Sequence, residues 1–245
     1  MQSRLPMIFI LLTVVLDSMG IGLIMPVMPD LIQSLEGGDL GQAALWGGVL
    51  ATIFAVMQFL FGPTIGSISD RFGRRPVLLI ALVVMSFDYV LMAVAGTIWL
   101  LVIGRIIGGI TAATQSTASA YMADISKPED KAANFGLIGA AFGIGFVIGP
   151  MLGGILAEYG TRAPFWAAAV LAGANGIFGY FALPETVTDR IRRPFDIKRA
   201  NPLGAFKSIT QLPDLGRFMI ISFVISLAFF VYPSVWAYFG KLQFG

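Results

Sequence analysis

The sequence predicts an all-α polytopic membrane protein, and three observations carry that reading. Of its 245 residues, 57% are hydrophobic and only 12% are charged, where an ordinary soluble domain is about 25% charged. The apolar residues gather into runs of spanning length, about 20 residues each. Most of the basic residues lie in the connections between those runs, which is a topology signal rather than a nucleic-acid footprint. The expected environment is therefore a lipid bilayer, with no nucleic-acid partner.

Seven apolar runs appear, at 6–28, 44–64, 76–95, 97–120, 132–157, 163–183 and 217–239. The first is too long for a signal peptide, contains Asp17 and lacks a small-x-small cleavage site, so it is retained as a span. The connection 29–43 carries Asp30, Glu36 and Asp39 without Lys or Arg, whereas 65–75 carries Arg71, Arg74 and Arg75. Summed over alternate connections, thirteen Lys and Arg fall on one face, against Arg162 and Lys241 on the other. Because Lys and Arg are retained on the cytoplasmic side, the N-terminus is placed inside. The organisation that results is a six-span unit over 1–186, a basic cytoplasmic linker over 187–216, and a seventh span over 217–245. Leu203, Phe206, Ile209 and Leu212 recur every three residues in the linker. That spacing suits either a short helix on the membrane surface or a plain solvated linker.

The chain has no Cys and no His, which excludes disulfides, zinc and haem sites and imidazole proton shuttles. No G-x-x-x-x-G-K-[ST] loop for ATP occurs. No nucleophile–base or metal constellation is present, so an enzyme is not expected. Any proton chemistry has to run on carboxylates.

Three ionisable residues fall within spans: Asp17, Asp88 and Arg105. Each costs about 2.5–3.5 kcal/mol on insertion scales if it faces lipid, so each is expected to face the bundle interior. At 1.5 Å per residue, Asp17 and Asp88 lie roughly 16 and 18 Å from the inner surface, and Arg105 comes to a similar level. An Asp–Arg pair at that depth either neutralises itself or handles protons and substrate. Gly20, Gly22, Pro26 and Pro29 follow Asp17, predicting an irregular first helix beside the charge, of the kind tolerated where a helix lines a cavity. Gln58 and Gln115 are further polar groups in spans, either on the same pathway or in ordinary interhelical hydrogen bonds.

Two stretches stand out by spacing. Gly66-Ser67-Ile68-Ser69-Asp70-Arg71-Phe72-Gly73-Arg74-Arg75-Pro76 is too charged for hydrocarbon and is read as a loop pinned at the membrane surface. In the fifth run, Gly145, Gly149 and Gly153 are four apart and make one smooth face for close helix approach. Gly136 precedes them, and Pro150 is expected to kink the helix.

Taken together, these stretches resemble the signatures of the major facilitator superfamily. Gly66-x-x-x-Asp70-Arg71-x-Gly73-Arg74-Arg75 is similar to the signature between its second and third helices. Gly136-x8-Gly145-x3-Gly149-Pro150-x2-Gly153 is similar to its fifth-helix antiporter signature. Arg105-x-x-Gly108-Gly109 resembles the fourth-helix signature, with Gly108 in place of the usual Gln. Leu16-Asp17-x-x-Gly20, Asp88-Tyr89 and Leu183-Pro184-Glu185-Thr186 look like those of drug–proton antiporters, and of tetracycline efflux proteins in particular.

The resemblance implies a six-helix N-terminal half built from two inverted three-helix repeats, plus a seventh helix. It implies antiport of a small organic drug such as tetracycline by alternating access, in a multi-pass protein of the cell inner membrane. No cofactor is implied, because the proton gradient supplies the energy. Asp17, Asp88, Arg105, Gln58 and Gln115 are the candidates for the proton and substrate pathway, and the resemblance implies that Asp17 and Arg105 line the cavity. It makes Gly66, Asp70, Arg71, Gly73, Arg74 and Arg75 a conformational gate in which Asp70 and Arg74 lock the cytoplasmic side. Twelve spans in two halves are usual in the family, so this sequence reads as a truncated, split or shortened chain. A second reading is a half-transporter that moves nothing. It would dock on a second copy, a missing second half or another membrane complex through exposed surface that includes the Gly145, Gly149 and Gly153 face, or be inert.

Overall fold

The computed structural model of the chain describes residues 5–112, 114–189, 192, 201–202 and 215–244. Every regular element among the described residues is helical. The helices are α1 (Leu5–Ile24), α2 (Met28–Glu36), α3 (Leu40–Phe72), α4 (Arg74–Val94), α5 (Ile98–Thr111), α6 (Thr114–Ile125), α7 (Lys131–Ala157), α8 (Ala163–Ala182) and α9 (Leu215–Phe244). Taking α5 and α6 as one interrupted segment, seven helices among the described residues are long and apolar enough to cross a membrane, as the run count predicts. Most of the linker 187–216, including Leu203, Phe206, Ile209 and Leu212, lies outside the described residues.

The boundaries differ from the sequence expectation in four places. The charged stretch is not an open loop: α3 continues to Phe72 and α4 begins at Arg74. A single residue, Gly73, turns the chain at φ 115°, a region that glycine alone enters without strain. The connection 29–43 is largely helical, as α2 with Pro29 in its first turn and Gly37 left-handed at its C-cap. Asp39 then opens α3 by accepting the Gln42 backbone N–H at 2.8 Å. The irregularity of the first span lies at 25–27, where α1 ends before Pro26, and not beside Asp17. The fourth span, expected to be continuous, is interrupted after Thr111, with Ala112 as the C-cap of α5. Pro150 sits inside an α7 that stays helical on both sides of it.

Packing follows a paired scheme. The first span packs on the fifth (α1 with α7), the second on the fourth (α3 with α5), and the third on the sixth (α4 with α8). Exchanging spans one to three with four to six maps the first contact onto the second and the third onto itself. That is the contact pattern of two three-helix repeats. Two buried clusters fill the bundle. One is built on Leu23, Leu31, Ile32, Leu50, Met92, Leu101 and Phe165, the other on Phe9, Ile10, Leu78, Leu82, Tyr121 and Met122. Polar ties cross between the helices that these clusters join. Ser86 Oγ donates to the Ala169 carbonyl at 2.8 Å, and Asn175 Nδ2 donates to Thr13 Oγ1 at 3.1 Å in full burial. Such ties specify register, because an unpaired polar group in an apolar interior is costly.

The seventh span stands apart. Among the described residues the apolar window of α9 has no buried side chain, and its main packing is against α3.

Candidate functional site

The buried charge centre is assembled by α4 and α5. Asp88 is 5% exposed, and its Oδ2 accepts a hydrogen bond from Arg105 Nη2 at 2.9 Å. The same Arg105 nitrogen lies 2.9 Å from Met92 Sδ, and the guanidinium sits 5.2 Å from the centroid of the Phe54 ring on α3. Two apolar neighbours, Met92 and Phe54, and one carboxylate therefore surround the cation, an arrangement in which a charge pair interacts far more strongly than in water. The pair is not fully satisfied. Asp88 Oδ1 and Arg105 Nε are buried without a hydrogen-bond partner.

Glycines on α5 make the space for this pair. A Cβ at Gly104 would lie 2.7 Å from Asp88 Oδ1, and one at Gly108 would lie 2.7 Å from Oδ2. The carboxylate thus seats on a bare helix surface where any larger residue would collide with it. This accounts for Gly108, the position at which the sequence departs from the fourth-helix signature. Gly109, next along, meets the Phe54 carbonyl and lets α3 approach.

Of the three intramembrane charges, only Asp88 and Arg105 pair. Asp17 forms no ion pair among the described residues. It lies on α1 three residues before Gly20, whose Cβ position is filled by the Tyr89 hydroxyl, so a long side chain of α4, next to Asp88, reaches α1 near Asp17. Gln58 is exposed, and its Nε2 donates to the Ala112 carbonyl at 3.2 Å, which ties α3 to the interruption in the fourth span. Gln115 holds a buried Oε1 with no hydrogen-bond partner, in the first turn of α6.

At the end of the bundle that carries Arg71, Arg74 and Arg75, a second charged cluster forms. Asp70 pairs with Arg74 at 2.5 Å, one helical turn apart across Gly73. Arg74 also reaches Asp124 on α6, with Nε 3.2 Å from Oδ2, and Ser69 Oγ at 3.2 Å. Arg75 donates to the Tyr180 carbonyl at 2.7 Å and lies 5.3 Å from that ring's centroid. Arg71 lies over the ring of its neighbour Phe72, and Gly66 has open space around it.

Sequence reasoning missed two members of this cluster, Asp124 and Glu185. Glu185 accepts the backbone N–H groups of Arg74 and Arg75 at 2.9 and 3.2 Å, and those of Thr186 and Val187 at 2.9 Å each. Its carboxylate covers Gly73, filling the space a side chain there would need. A carboxylate at a helix N-terminus satisfies orphan donors and complements the helix dipole. The signal was in the sequence as an acid directly after Pro184, but a cap supplied 111 residues away leaves no local spacing to read.

The glycine ladder packs inward. Cβ atoms at Gly145, Gly149 and Gly153 would strike Val15, Ser18, Met19, Gly22 and Leu23 of α1, while Gly136, Gly139 and Gly143 have nothing within 4 Å. The expectation that the Gly145, Gly149 and Gly153 face is exposed for docking is therefore corrected: all three are buried against α1. The mechanism of close approach was foreseen, but the partner was not, because spacing on one helix does not name the helix across from it.

This geometry, two repeats with a buried acid–base pair between them and a charged turn at one end, can be set beside known proteins. The sequence profile described as Major Facilitator Superfamily matches residues 10–245. The chain belongs to that superfamily. It is 43% identical to the class C tetracycline resistance protein of Escherichia coli, over 100% of this chain and 61% of that protein. It is 30% identical to multidrug resistance protein 2 of Bacillus subtilis (strain 168), over 100% of this chain and 60% of that protein. Its fold is similar to the crystal structure of the human organic anion transporter MFSD10, with a TM-score of 0.76 and 24% identity over 100% of this chain and 66% of that one. This major facilitator chain thus spans about three-fifths of the length of the curated relatives it matches. It is a multi-pass membrane protein.

Proposed function

We propose that the chain is the N-terminal portion of a drug exporter of the tetracycline-efflux type, working by proton antiport and alternating access. The observation that carries this reading is the full-chain likeness to the class C tetracycline resistance protein at 43% identity. The buried Asp88–Arg105 pair and the free Asp17 supply compatible chemistry. Residues 1–186 form the six-span unit, 187–216 the cytoplasmic linker and 217–245 the seventh span, in the inner membrane with the N-terminus inside. The energy source is the proton gradient, and no cofactor is involved. A carboxylate that can take a proton beside a fixed cation suits coupling, because protonation of Asp88 would release Arg105 for another partner. Arg74, held by Asp70 and Asp124 and seated on the Glu185 cap, forms the cytoplasmic gate. The test is tetracycline accumulation in everted membrane vesicles energised by a pH gradient. Gradient-driven uptake that Asp17→Asn removes is the expected result, and uptake unchanged by that substitution would refute the role of Asp17.

A second reading is favoured by the unburied window of α9. In it, the chain transports nothing itself and serves as a membrane interaction subunit. Mass measurement in mild detergent separates the two readings. A defined dimer or hetero-complex with no vesicle uptake supports the interaction subunit, and drug uptake by the chain supports the exporter.

A further inference from the structure

At the end of the bundle opposite the arginine cluster, two described cations are held in different ways. Lys241 forms an ion pair with Asp30. Arg162 has no carboxylate partner among the described residues, although Glu158 precedes it closely. Its Nη1 and Nη2 donate instead to the Ala93 and Ala95 carbonyls at 2.7 and 2.6 Å. Carbonyls orient a guanidinium without neutralising it, and a guanidinium carries more donors than these two. The same cation lines an open cavity of about 540 Å³, a size that small-ligand clefts commonly have. Ser34 of α2, Gly96 between α4 and α5, and Gly160, Thr161 and Arg162 between α7 and α8 form its polar and bare wall. Both glycines keep it open, since nothing lies within 4 Å of where a Cβ would stand on either. Ser34 Oγ is committed to the Leu31 carbonyl at 2.7 Å, which leaves Thr161 and Arg162 as the available side-chain donors. The acids at this end, Asp30, Glu36, Asp39 and Glu158, are exposed, and none lines the cavity.

We propose that this cavity is a phosphate-binding site, in which Arg162 and Thr161 hold a phosphate oxyanion presented either free or as the headgroup of a phospholipid. A guanidinium already fixed on two carbonyls has little side-chain freedom left to lose when an oxyanion docks. Two exposed rings flank the rim. Trp99 follows Gly96 by three residues and Tyr159 directly precedes Gly160, and they are 66% and 82% exposed. Exposed Trp and Tyr at the ends of spans mark the headgroup level of a bilayer, and phosphate is the anion that a bilayer concentrates there. The cation, the cavity and the level therefore agree on one ligand chemistry. The site lies beyond the efflux reading and needs no transport to be occupied.

The test uses the purified full chain, stripped of lipid in an uncharged, phosphate-free detergent. Broadening of the phosphorus NMR line of inorganic phosphate reads the free anion. Retention of phosphatidylglycerol above diacylglycerol, added in equal amounts, reads the headgroup. Binding of at least one probe is expected, about tenfold weaker in Arg162→Gln because a charge-assisted hydrogen bond is lost. Thr161→Val should weaken it about threefold, and Arg162→Lys should keep part of it. Arg162 also ties down the end of α4, so Gly96→Leu serves as the second variant. It fills the cavity without touching Arg162 and meets no neighbour, and it should abolish binding in a chain of unchanged helix content. Phosphate broadening without lipid preference assigns the free anion, and lipid preference without broadening assigns the headgroup. Binding of neither probe, or equal binding by the parent, Arg162→Gln and Gly96→Leu, would overturn the site.

Discussion

The α1–α7 and α4–α5 contacts are both made of glycine, yet they do different things with it. On α7, Gly145, Gly149 and Gly153 admit the backbone of α1, so that helix meets helix with almost nothing between them. On α5, Gly104 and Gly108 admit the carboxylate of Asp88, and the space is spent on a charge. The first contact is satisfied internally and gains from close packing of backbones. The second leaves Asp88 Oδ1 and Arg105 Nε without partners. A buried polar group without a partner is expensive to keep, so the two contacts should respond very differently to substitution.

The largest effect is expected from breaking the charged contact on one side. Arg105→Ala leaves Asp88 buried and alone and should cost about 3–5 kcal/mol, read as a lowered unfolding temperature in detergent. Replacing both residues with Leu should cost much less, since paired buried charges often exchange for apolar groups at little loss. If the double variant were as unstable as the single one, the pair would be a packing element rather than a charge centre. Next comes the smooth contact. Gly149→Leu drives a side chain into Met19 and Gly22 and is expected to lose about 1–3 kcal/mol or more, measured in the same way. Smaller again is Glu185→Ala, which uncovers the N-terminus of α4 and should cost about 1 kcal/mol. It should also raise the protease sensitivity of the turn at Gly73. The smallest change is Gly136→Ala. With open space around it, this position should be neutral or gain up to about 1 kcal/mol from helix propensity. Gly136 and Gly149 thus form a pair within one helix that separates packing glycines from merely helical ones.

How much of this was legible in the sequence depends on whether the signal is local. The spans were readable because a bilayer imposes one length on every apolar run. Asp88 and Arg105 were readable as interior groups, because a charge in a span has few places to go. Their pairing to the exclusion of Asp17 was not readable, since three charges at one depth leave the choice to helix rotation. Glu185 as the cap of α4, Asp124 as a second partner of Arg74 and Asn175 on Thr13 all depend on contacts over 50 residues or more. Arg162 was counted only as an outside charge. Its two nitrogens in fact donate to the Ala93 and Ala95 carbonyls at 2.7 and 2.6 Å and close the C-terminus of α4. The one-residue turn was misread as a loop because composition reports that a segment leaves hydrocarbon, not that it stops being helical.

That turn gives α3 its reach. A helix of 33 residues is about 50 Å long, well beyond the roughly 30 Å of a hydrocarbon core. Its two ends carry Gly47 near the α9 contact and Asp70 beside Arg74. Treated as a rod, α3 is a lever: a change of tilt of about 10° would sweep one end through roughly 9 Å relative to the other. A small rotation at the level of the Asp88 carboxylate would then be felt as a large displacement where the arginines sit.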